Sequence, residues 1–433
     1  MATRARAKTP EPKRLTCKRV AVHFIYSFCL EDKDSYLVDI HEVIKSYQGK
    51  ASQGKPRERK GITPHLTFKS MEGWVDLPKM SAEIWQGREL PQEAELSGFI
   101  RLFPVGCSCC ITVTTTAEGE NRLDCDAIMN LLRLVRRSED DKVYTFRIKK
   151  SPLGGLKTVF EFFERAVVDL CRHSGLEWLE RKRGFISEEG ESQNPWVVVV
   201  IEDDDDLAKA FCSRDDWKAL RPADDKMERM RPYLEDIASI LYRSVTDSIV
   251  PEPAYLDRSD RSDRIQGIKN ENLDARLFVS LSRRAILCIG RYGPEARRDS
   301  EEYPADYFLP GLLDLCEMVR VRWHMLIVMN RVVDEELRKA RSQFRKGKSV
   351  PLDETLEQIM RIRAWLATSL EDPGIYVIAG DALSKLHGEL QEVFRIQELR
   401  EMILGKVELV DRLFTDLSQW DWYKLPVESG TKK

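Results

Sequence analysis

The chain contains 433 residues, of which 42% are hydrophobic and 33% are charged, and its formal net charge at pH 7 is −3. The hydrophobic fraction is sufficient for folded cores and excludes a chain that is disordered throughout. Because 69 Lys and Arg balance 72 Asp and Glu, the composition also argues against a globally basic nucleic-acid binder and leaves only local basic patches open.

The first two-thirds of the chain alternate between strand and helix patterns. Residues 1–15 are basic and contain proline, which predicts a disordered arm. Runs of β-branched or alternating apolar residues predict strands, and two pairs of them flank short turns and predict hairpins. Apolar residues three and four apart predict helices between them. The predicted strands are 19–28, 143–148 and 196–201, the hairpins are 99–105 with 109–115 and 277–282 with 285–290, and the helices are 123–136, 158–183 and 226–244.

The last third reads as three long helices, at 308–344, 351–370 and 376–419. The third would span about 60 Å, although the spacing of three between Val393, Ile396 and Leu399 breaks its heptad repeat. We therefore predict an α+β fold, with a mixed α/β first two-thirds containing β-hairpins and a C-terminal long-helix bundle or stalk. The predicted domains are 16–190, 191–305 and 306–420, followed by a tail at 421–433.

The cysteines indicate a reducing compartment. The ten cysteines lie mostly inside apolar runs, as small buried hydrophobes do. The basic N-terminus lacks the apolar core of a secretory signal, and no apolar run approaches the roughly 18 residues of a membrane span. We therefore expect reduced thiols in a cytoplasmic protein without a membrane partner.

An acidic segment follows the predicted strand 196–201. Glu202, Asp203 and Asp204 are candidate ligands for Mg²⁺, which prefers carboxylate oxygens. The alternative is an acidic turn at a helix N-terminus, where the helix dipole favours negative charge. We favour this turn because the repeating strand–helix units of a receiver domain are missing, and we expect no other cofactor.

Familiar catalytic motifs are missing from the sequence. The six histidines include no pair at His-x₃-His spacing, and no P-loop or Rossmann glycine motif occurs. Cys107 and Cys110 have Cys-x₂-Cys spacing, but no histidine lies nearby in the sequence. In a strand Cys107 and Cys109 share one face and Cys110 occupies the other. We interpret them as buried strand cysteines, and His173 and Cys288 as a surface histidine and a core cysteine rather than a protease pair. An enzyme is therefore not favoured.

Two basic groups and one apolar group are candidate binding residues. The basic groups are candidate phosphate contacts, but aromatic residues do not alternate with them, so nucleic-acid binding is not favoured. They comprise Lys55, Arg57, Arg59 and Lys60 in one predicted loop, and Arg341, Arg345 and Lys346 at the end of the first long helix. The apolar group is expected to pack within the helical bundle or against another chain. It comprises Trp323, Leu326, Met329, Leu399, Ile403, Val410 and Phe414.

The order of the hairpin 277–290, the helix pair 308–370 and the long helix 376–419 resembles the cytoplasmic part of CorA-type magnesium transporters and their soluble relatives. The resemblance is one of layout. The family's Gly-Met-Asn motif is absent, since Val328-Met329-Asn330 lacks the glycine, and both membrane helices are missing. What the resemblance implies is a pore-less, stalk-like scaffold that oligomerises. Soluble relatives with this layout are similar to accessory components of prokaryotic antiviral loci.

These observations predict a non-enzymatic protein-interaction, scaffold or regulatory subunit. Its expected partner is another protein chain or a second copy of itself, in a prokaryotic defence (antiviral, CRISPR-type) or signalling complex. Two alternatives stay open. The first is a divalent-metal enzyme or sensor built on residues 202–206, and the second is a regulator that contacts nucleic acid through its basic loops.

Overall fold

A mixed β-sheet forms the centre of the molecule. The computed structural model describes residues 14–31, 73–77, 80–86, 92–103, 106–117, 121–132, 144–149, 159–185, 195–203, 233–243, 269–274, 277–281, 285–291, 305–345, 357, 360–364 and 381–424. Its strands are β1 (Thr16–Cys17), β2 (Arg19–Phe28), β3 (Leu30–Glu31), β4 (Gly73–Asp76), β5 (Met80–Gln86), β6 (Gln92–Phe103), β7 (Gly106–Thr116), β8 (Leu123–Asp124), β9 (Tyr144–Lys149), β10 (Glu177–Trp178), β11 (Trp196–Asp203), β12 (Lys269–Asp274), β13 (Leu277–Leu281) and β14 (Ala285–Arg291).

Ten of these strands form the large sheet, in the spatial order β12-β13-β14-β11-β2-β7-β6-β5-β9, with β4 also paired to β6. The strand pairs are antiparallel except for β11 and β14, which run parallel. The pairs β1–β8 and β3–β10 form two small separate sheets. Residues from positions 19 to 291 therefore contribute to one continuous sheet.

Helices cover both faces of this sheet. The described helices are α1 (Cys125–Leu132), α2 (Val159–Ser174), α3 (Leu179–Lys182), α4 (Leu234–Arg243), α5 (Ala305–Arg345), α6 (Asp381–Val393) and α7 (Ile396–Lys424). Val22 and Phe24 of β2 pack in a hydrophobic cluster with α1, α2 and α4, whereas Ala21 and Ile25 belong to a second cluster with α5, α6 and α7. The alternation of side chains along a strand thus produces three layers, helix–sheet–helix.

The alternation also decides where the strand cysteines lie. Cys107 and Cys109 belong to the first cluster and Cys110 to the second, as the sequence predicts. All three are buried free thiols. The interpretation of this segment as buried strand cysteines is confirmed.

The C-terminal helices pack directly on the sheet. In the second cluster, Val198 of β11 and Ile286 of β14 lie with Met325 of α5 and Ile403 of α7. The ring of Phe394, between α6 and α7, is 5.0 Å from the ring of Trp196 on β11 and 5.5 Å from the ring of Trp323 on α5. The α5–α7 layer and the sheet therefore share one core.

The α+β class, both hairpins and the buried strand near 196–201 are confirmed. Two predicted helices are not continuous, and each is interrupted at a residue with positive φ. The helix predicted at 158–183 ends at Ser174, followed by Gly175 with φ 77°. The helix predicted at 376–419 is divided between α6 and α7, where Arg395 has φ 51°. Left-handed residues end helices, which explains both breaks.

Several other predictions fall partly or wholly outside the described residues. Leu15, the last residue of the predicted disordered arm, is fully buried, and its backbone N–H donates to Asp236 Oδ2 at 2.6 Å. The prediction of disorder is therefore wrong at this residue. Residues 1–13 lie outside the described part of the chain. Of the predicted helix 351–370, only 357 and 360–364 are described, and they are helical. The domain limits stay a prediction. None of the described helices is long and apolar enough to cross a membrane.

Candidate functional site

Helix α5 carries ionisable side chains on surfaces that are buried in the protein. Glu317 and His324 are almost completely inaccessible, and so are Asp314, Arg320 and Glu336. Burying a charge is costly unless it is paired or hydrogen-bonded. Each of these residues therefore requires a partner. Four of them have one on the sheet or on the segment around α3: Asp314, Glu317, His324 and Glu336.

One such partnership joins Cys29, Glu180 and His324. Their potential ligand atoms, one each of sulfur, oxygen and nitrogen, all lie within 4.8 Å of one another, and all three residues are buried. The Glu180 carboxylate accepts the backbone N–H of Cys29 at 2.9 and 3.2 Å. His324 Nε2 lies 2.5 Å from Glu180 Oε1. This cluster is the described group that could hold a metal ion.

The local backbone explains how Glu180 reaches this position. The two-residue strands β3 and β10 pair so that Trp178 lies opposite Leu30. Immediately afterwards, the N–H of Leu179 donates to the carbonyl of Cys29 at 3.0 Å. Since Glu180 follows in the short helix α3, its side chain is held against the backbone of Cys29.

The thiols near this cluster are weak acids. Burial, followed by the charge of Glu180, raises the pKa of Cys29 well above its ordinary value. Burial also raises the pKa of Cys107, and that thiol interacts electrostatically with Cys29 and with Glu180. Burial raises the pKa of Cys171 to about 12. A raised pKa keeps these thiols protonated near neutral pH, which is the opposite of an activated cysteine nucleophile.

A chain of ion pairs leads from the cluster to the surface. Glu31 and Glu177 face each other across β3 and β10, and Lys182 Nζ lies 3.1 Å from the first and 2.5 Å from the second. The hydrogen bond to Glu177 is the main cause of the raised pKa of Lys182. Arg183 lies 3.4 Å from Glu335 on α5. The lysine offsets the repulsion between the two glutamates, and the arginine links this segment to α5.

A second buried group lies where α5 crosses β6 and β7. Arg101 of β6 forms an ion pair with Asp314 and lies 3.4 Å from Glu317. Ser108 of β7 donates its hydroxyl to Glu317 at 3.1 Å. Helix α5 is therefore fixed to the sheet by polar contacts at two points as well as by its apolar residues.

The outer side of α7 exposes apolar residues. Within the described part of the chain, the strongly exposed large hydrophobic side chains are Met360, Met402 and Leu409, at 68%, 41% and 44% exposure. The latter two are seven residues apart on α7, so they lie on one helix face. Gly405 lies between them, and a Cβ atom there would meet nothing within 4 Å. Together with the exposed residues Glu398 and Arg412, these three residues form what we call the α7 surface.

The interaction residues predicted from the sequence are not part of the α7 surface. Trp323, Leu326 and Met329 of α5 and Ile403 and Val410 of α7 are buried in the second hydrophobic cluster, where Leu399 packs partly buried. Phe414 lies in α7, but its side chain is outside the described residues. The apolar character of α5 is therefore accounted for by packing within this chain.

The predicted Mg²⁺ ligands lie at the end of β11. Glu202 is in register with Arg19 of β2, and Asp203 is in register with Arg291 of β14. Their side chains, and Asp204 altogether, fall outside the described residues.

Of the candidate phosphate contacts, Arg341 and Arg345 lie in the described part of the chain. Arg341 is exposed near the end of α5, and Arg345 is its last residue. Lys55, Arg57, Arg59, Lys60 and Lys346 lie outside the described residues.

Sequence reasoning missed the Cys29–Glu180–His324 cluster. The three residues come from the end of β2, from α3 and from the middle of α5, and 151 residues separate Cys29 from Glu180. No spacing motif marks them. One signal was available: His324 stands between Trp323 and the apolar run 325–329 of a helix, where a polar residue requires a buried partner.

No family model, curated protein or solved structure shows a significant match to the chain.

Proposed function

We propose that this chain is a non-enzymatic scaffold or regulatory subunit, and that its α7 surface binds the same surface of a second copy. The observation that carries the proposal is the exposed apolar pair Met402 and Leu409, with Gly405 between them. Exposed apolar patches rimmed by polar residues mark interaction sites. The glycine allows the backbone of another helix to approach closely.

The surface is self-complementary. In an antiparallel pair of α7 helices that cross at Gly405, Met402 lies about 4.5 Å before the crossing point and Leu409 about 6 Å after it. Each Met402 therefore faces the Leu409 of the second copy. Glu398 and Arg412 are each seven residues from Gly405, so each glutamate faces the arginine of the other copy. Such reciprocal contacts are what a two-fold interface requires.

Two further features support a non-enzymatic role. Burial raises the pKa of the described thiols Cys29, Cys107, Cys109, Cys110, Cys125, Cys171, Cys288 and Cys316, which argues against thiol nucleophiles among them. Asp314 and His324, two buried ionisable residues of α5, contact other elements of the same chain, which gives them a structural role.

Charge reversal tests the proposal most sharply. The mass of the full chain is measured by light scattering and sedimentation over a range of concentrations. Wild type should self-associate reversibly. Glu398→Arg alone and Arg412→Glu alone should each weaken self-association, because each places like charges opposite one another. The double variant should recover it, since the pair is restored with its signs exchanged.

Met360→Glu serves as the matched control, because Met360 is an exposed methionine outside α7. It should leave self-association unchanged, whereas Met402→Glu should abolish it. A wild-type chain that stays monomeric at every concentration, or a double reversal that does not recover association, overturns the proposal.

A further inference from the structure

We propose that Cys29, Glu180 and His324 form a binding site for one transition-metal ion of the Zn²⁺ type. The site does not depend on self-association through α7. Three residues from separate parts of the chain place a sulfur, an oxygen and a nitrogen atom within 4.8 Å of one another. These are the three ligand types that Zn²⁺ takes in proteins.

The ligand chemistry favours Zn²⁺ over Mg²⁺ or Ca²⁺. The two hard cations require several oxygen ligands, and this cluster offers one carboxylate. A thiol and an imidazole beside it suit Zn²⁺ and Co²⁺, which bind sulfur and nitrogen. The site therefore differs in both place and chemistry from the alternative Mg²⁺ site at residues 202–204.

The contact between His324 and Glu180 decides which ring nitrogen can bind the ion. His324 Nε2 lies 2.5 Å from Glu180 Oε1, so Nε2 is the ring nitrogen that can share an ion with this carboxylate. On metal binding the two atoms would separate, and each would exchange its contact with the other for a bond to the ion. Nδ1 is buried and has no hydrogen-bond partner among the described residues, so the ring can turn without breaking a second hydrogen bond to them.

The cluster supplies three ligands. Cys107 lies on β7 opposite Phe28, but it belongs to the first hydrophobic cluster and Cys29 to the second. Its thiol is therefore directed to the other face of the sheet. The fourth position of a tetrahedral ion would be left to a water molecule.

The cluster lacks the features of a Cys–His catalytic site. All three residues are buried, so a substrate has no access to the sulfur in this structure. A metal ion here would instead tie α5 to the end of β2 and to α3, the three segments that supply the ligands. We expect its main effect to be on the stability of the helix layer.

Cobalt is the most informative probe, because Co²⁺ replaces Zn²⁺ and its colour reports geometry and thiolate ligation. The purified full chain is treated with chelator, freed of it and titrated with Co²⁺. We expect one equivalent to bind, with tetrahedral visible bands and a sulfur-to-cobalt charge-transfer band in the near ultraviolet. Added Zn²⁺ should displace Co²⁺ and remove both sets of bands. Zn²⁺ should also raise the thermal unfolding midpoint of the metal-free chain.

Matched substitutions locate the site. Cys29→Ser should remove or greatly weaken the charge-transfer band, whereas Cys107→Ser alters a thiol on the other face of the sheet and should leave the band unchanged. His324→Gln should lower the affinity by more than the roughly 10–100-fold lost with an outer partner of a ligand. Cys288→Ser and His23→Gln alter a buried cysteine and a buried histidine outside the cluster. Both controls should bind Co²⁺ as wild type does.

Three results would overturn the proposal. The first is a folded wild-type chain that binds no Co²⁺ and whose thermal midpoint does not respond to Zn²⁺. The second is a wild-type chain that binds Co²⁺ but shows no sulfur-to-cobalt charge-transfer band. This result tests thiolate ligation on the wild type alone, so it does not require the Cys29→Ser variant to fold. The third is a spectrum that persists unchanged in folded Cys29→Ser and His324→Gln variants.

Discussion

Arg101 on β6 and Asp314 on α5 form an ion pair whose side chains are 2% and 5% exposed. They are 213 residues apart in the sequence, and Glu317, one turn further along α5, also approaches the guanidinium. Apolar packing alone would allow α5 to slide along the sheet. A buried pair is weak evidence for stability, but its geometry can specify one position.

We expect Asp314→Ala to lower the free energy of unfolding by about 3–5 kcal/mol, because it leaves a buried charge without its main partner. Urea unfolding followed by circular dichroism measures the loss. Replacing both partners, as Arg101→Met with Asp314→Leu, should be less damaging than the single change. Arg172→Gln removes an exposed pair with Asp169 and should cost at most about 1 kcal/mol. If Asp314→Ala lowers the free energy of unfolding by no more than Arg172→Gln does, the proposed role of the buried pair is contradicted.

His23 should make stability depend on pH. Burial lowers its pKa from 6.5 to about 4, so between these values the unfolded chain binds more protons than the folded one. The free energy of unfolding should therefore fall as the pH falls through this window, with a contribution from His23 of about 2 kcal/mol between pH 7 and 5. His23→Asn does not titrate and keeps a group that can hydrogen-bond to Thr112. Denaturant midpoints should show a smaller decline for this variant, and parallel pH profiles would contradict the prediction.

Two glycines should respond oppositely to alanine. A Cβ at Gly98 on β6 would come 2.9 Å from the backbone oxygen of Cys110, and the sheet cannot easily shift. Gly98→Ala should cost about 1–3 kcal/mol, as overpacking does. At Gly388 in α6 a Cβ meets nothing within 4 Å, so Gly388→Ala should gain about 0.5–1 kcal/mol from helix propensity. Thermal melts of the two variants should therefore shift in opposite directions.

The break between α6 and α7 gives another pair of opposite effects. Arg395 has φ 51°, a left-handed conformation that costs a residue with a Cβ about 1 kcal/mol. Arg395→Gly should therefore stabilise the chain, whereas the β-branched Arg395→Val should destabilise it. The ion pair of Arg395 with Glu398 is exposed and contributes little. Thermal melts measure both effects. Equal thermal midpoints for Arg395→Gly and Arg395→Val would show that the left-handed conformation at residue 395 does not affect stability.

The sequence revealed local structure better than long-range contacts. The strand β11 and both hairpins follow from runs of β-branched and apolar residues. The opposed faces of Cys109 and Cys110 follow from the alternation of side chains along a strand. The ends of the helices were harder to predict, because apolar spacing continues past Ser174 although Gly175 has a positive φ. The heptad break at residues 393–399 was the visible signal for the second interruption.

The candidate cluster could not be predicted in this way. Cys29, Glu180 and His324 meet because α3 folds back on the end of β2 and α5 crosses above it. Neither event leaves a spacing pattern. The parallel pairing of β11 with β14 is likewise a property of the whole sheet, since more than 80 residues separate the two strands.

The core shared by the sheet and helices α5–α7 determines how the molecule can be divided. A fragment that ends before residue 305 would keep the strands but expose Ile25, Val198 and Ile286 to water. We expect such a fragment to aggregate, and a fragment beginning at 305 to lose the surface on which α5 packs. Co-expression of the two pieces should recover material that neither yields alone, as in a split-protein reporter.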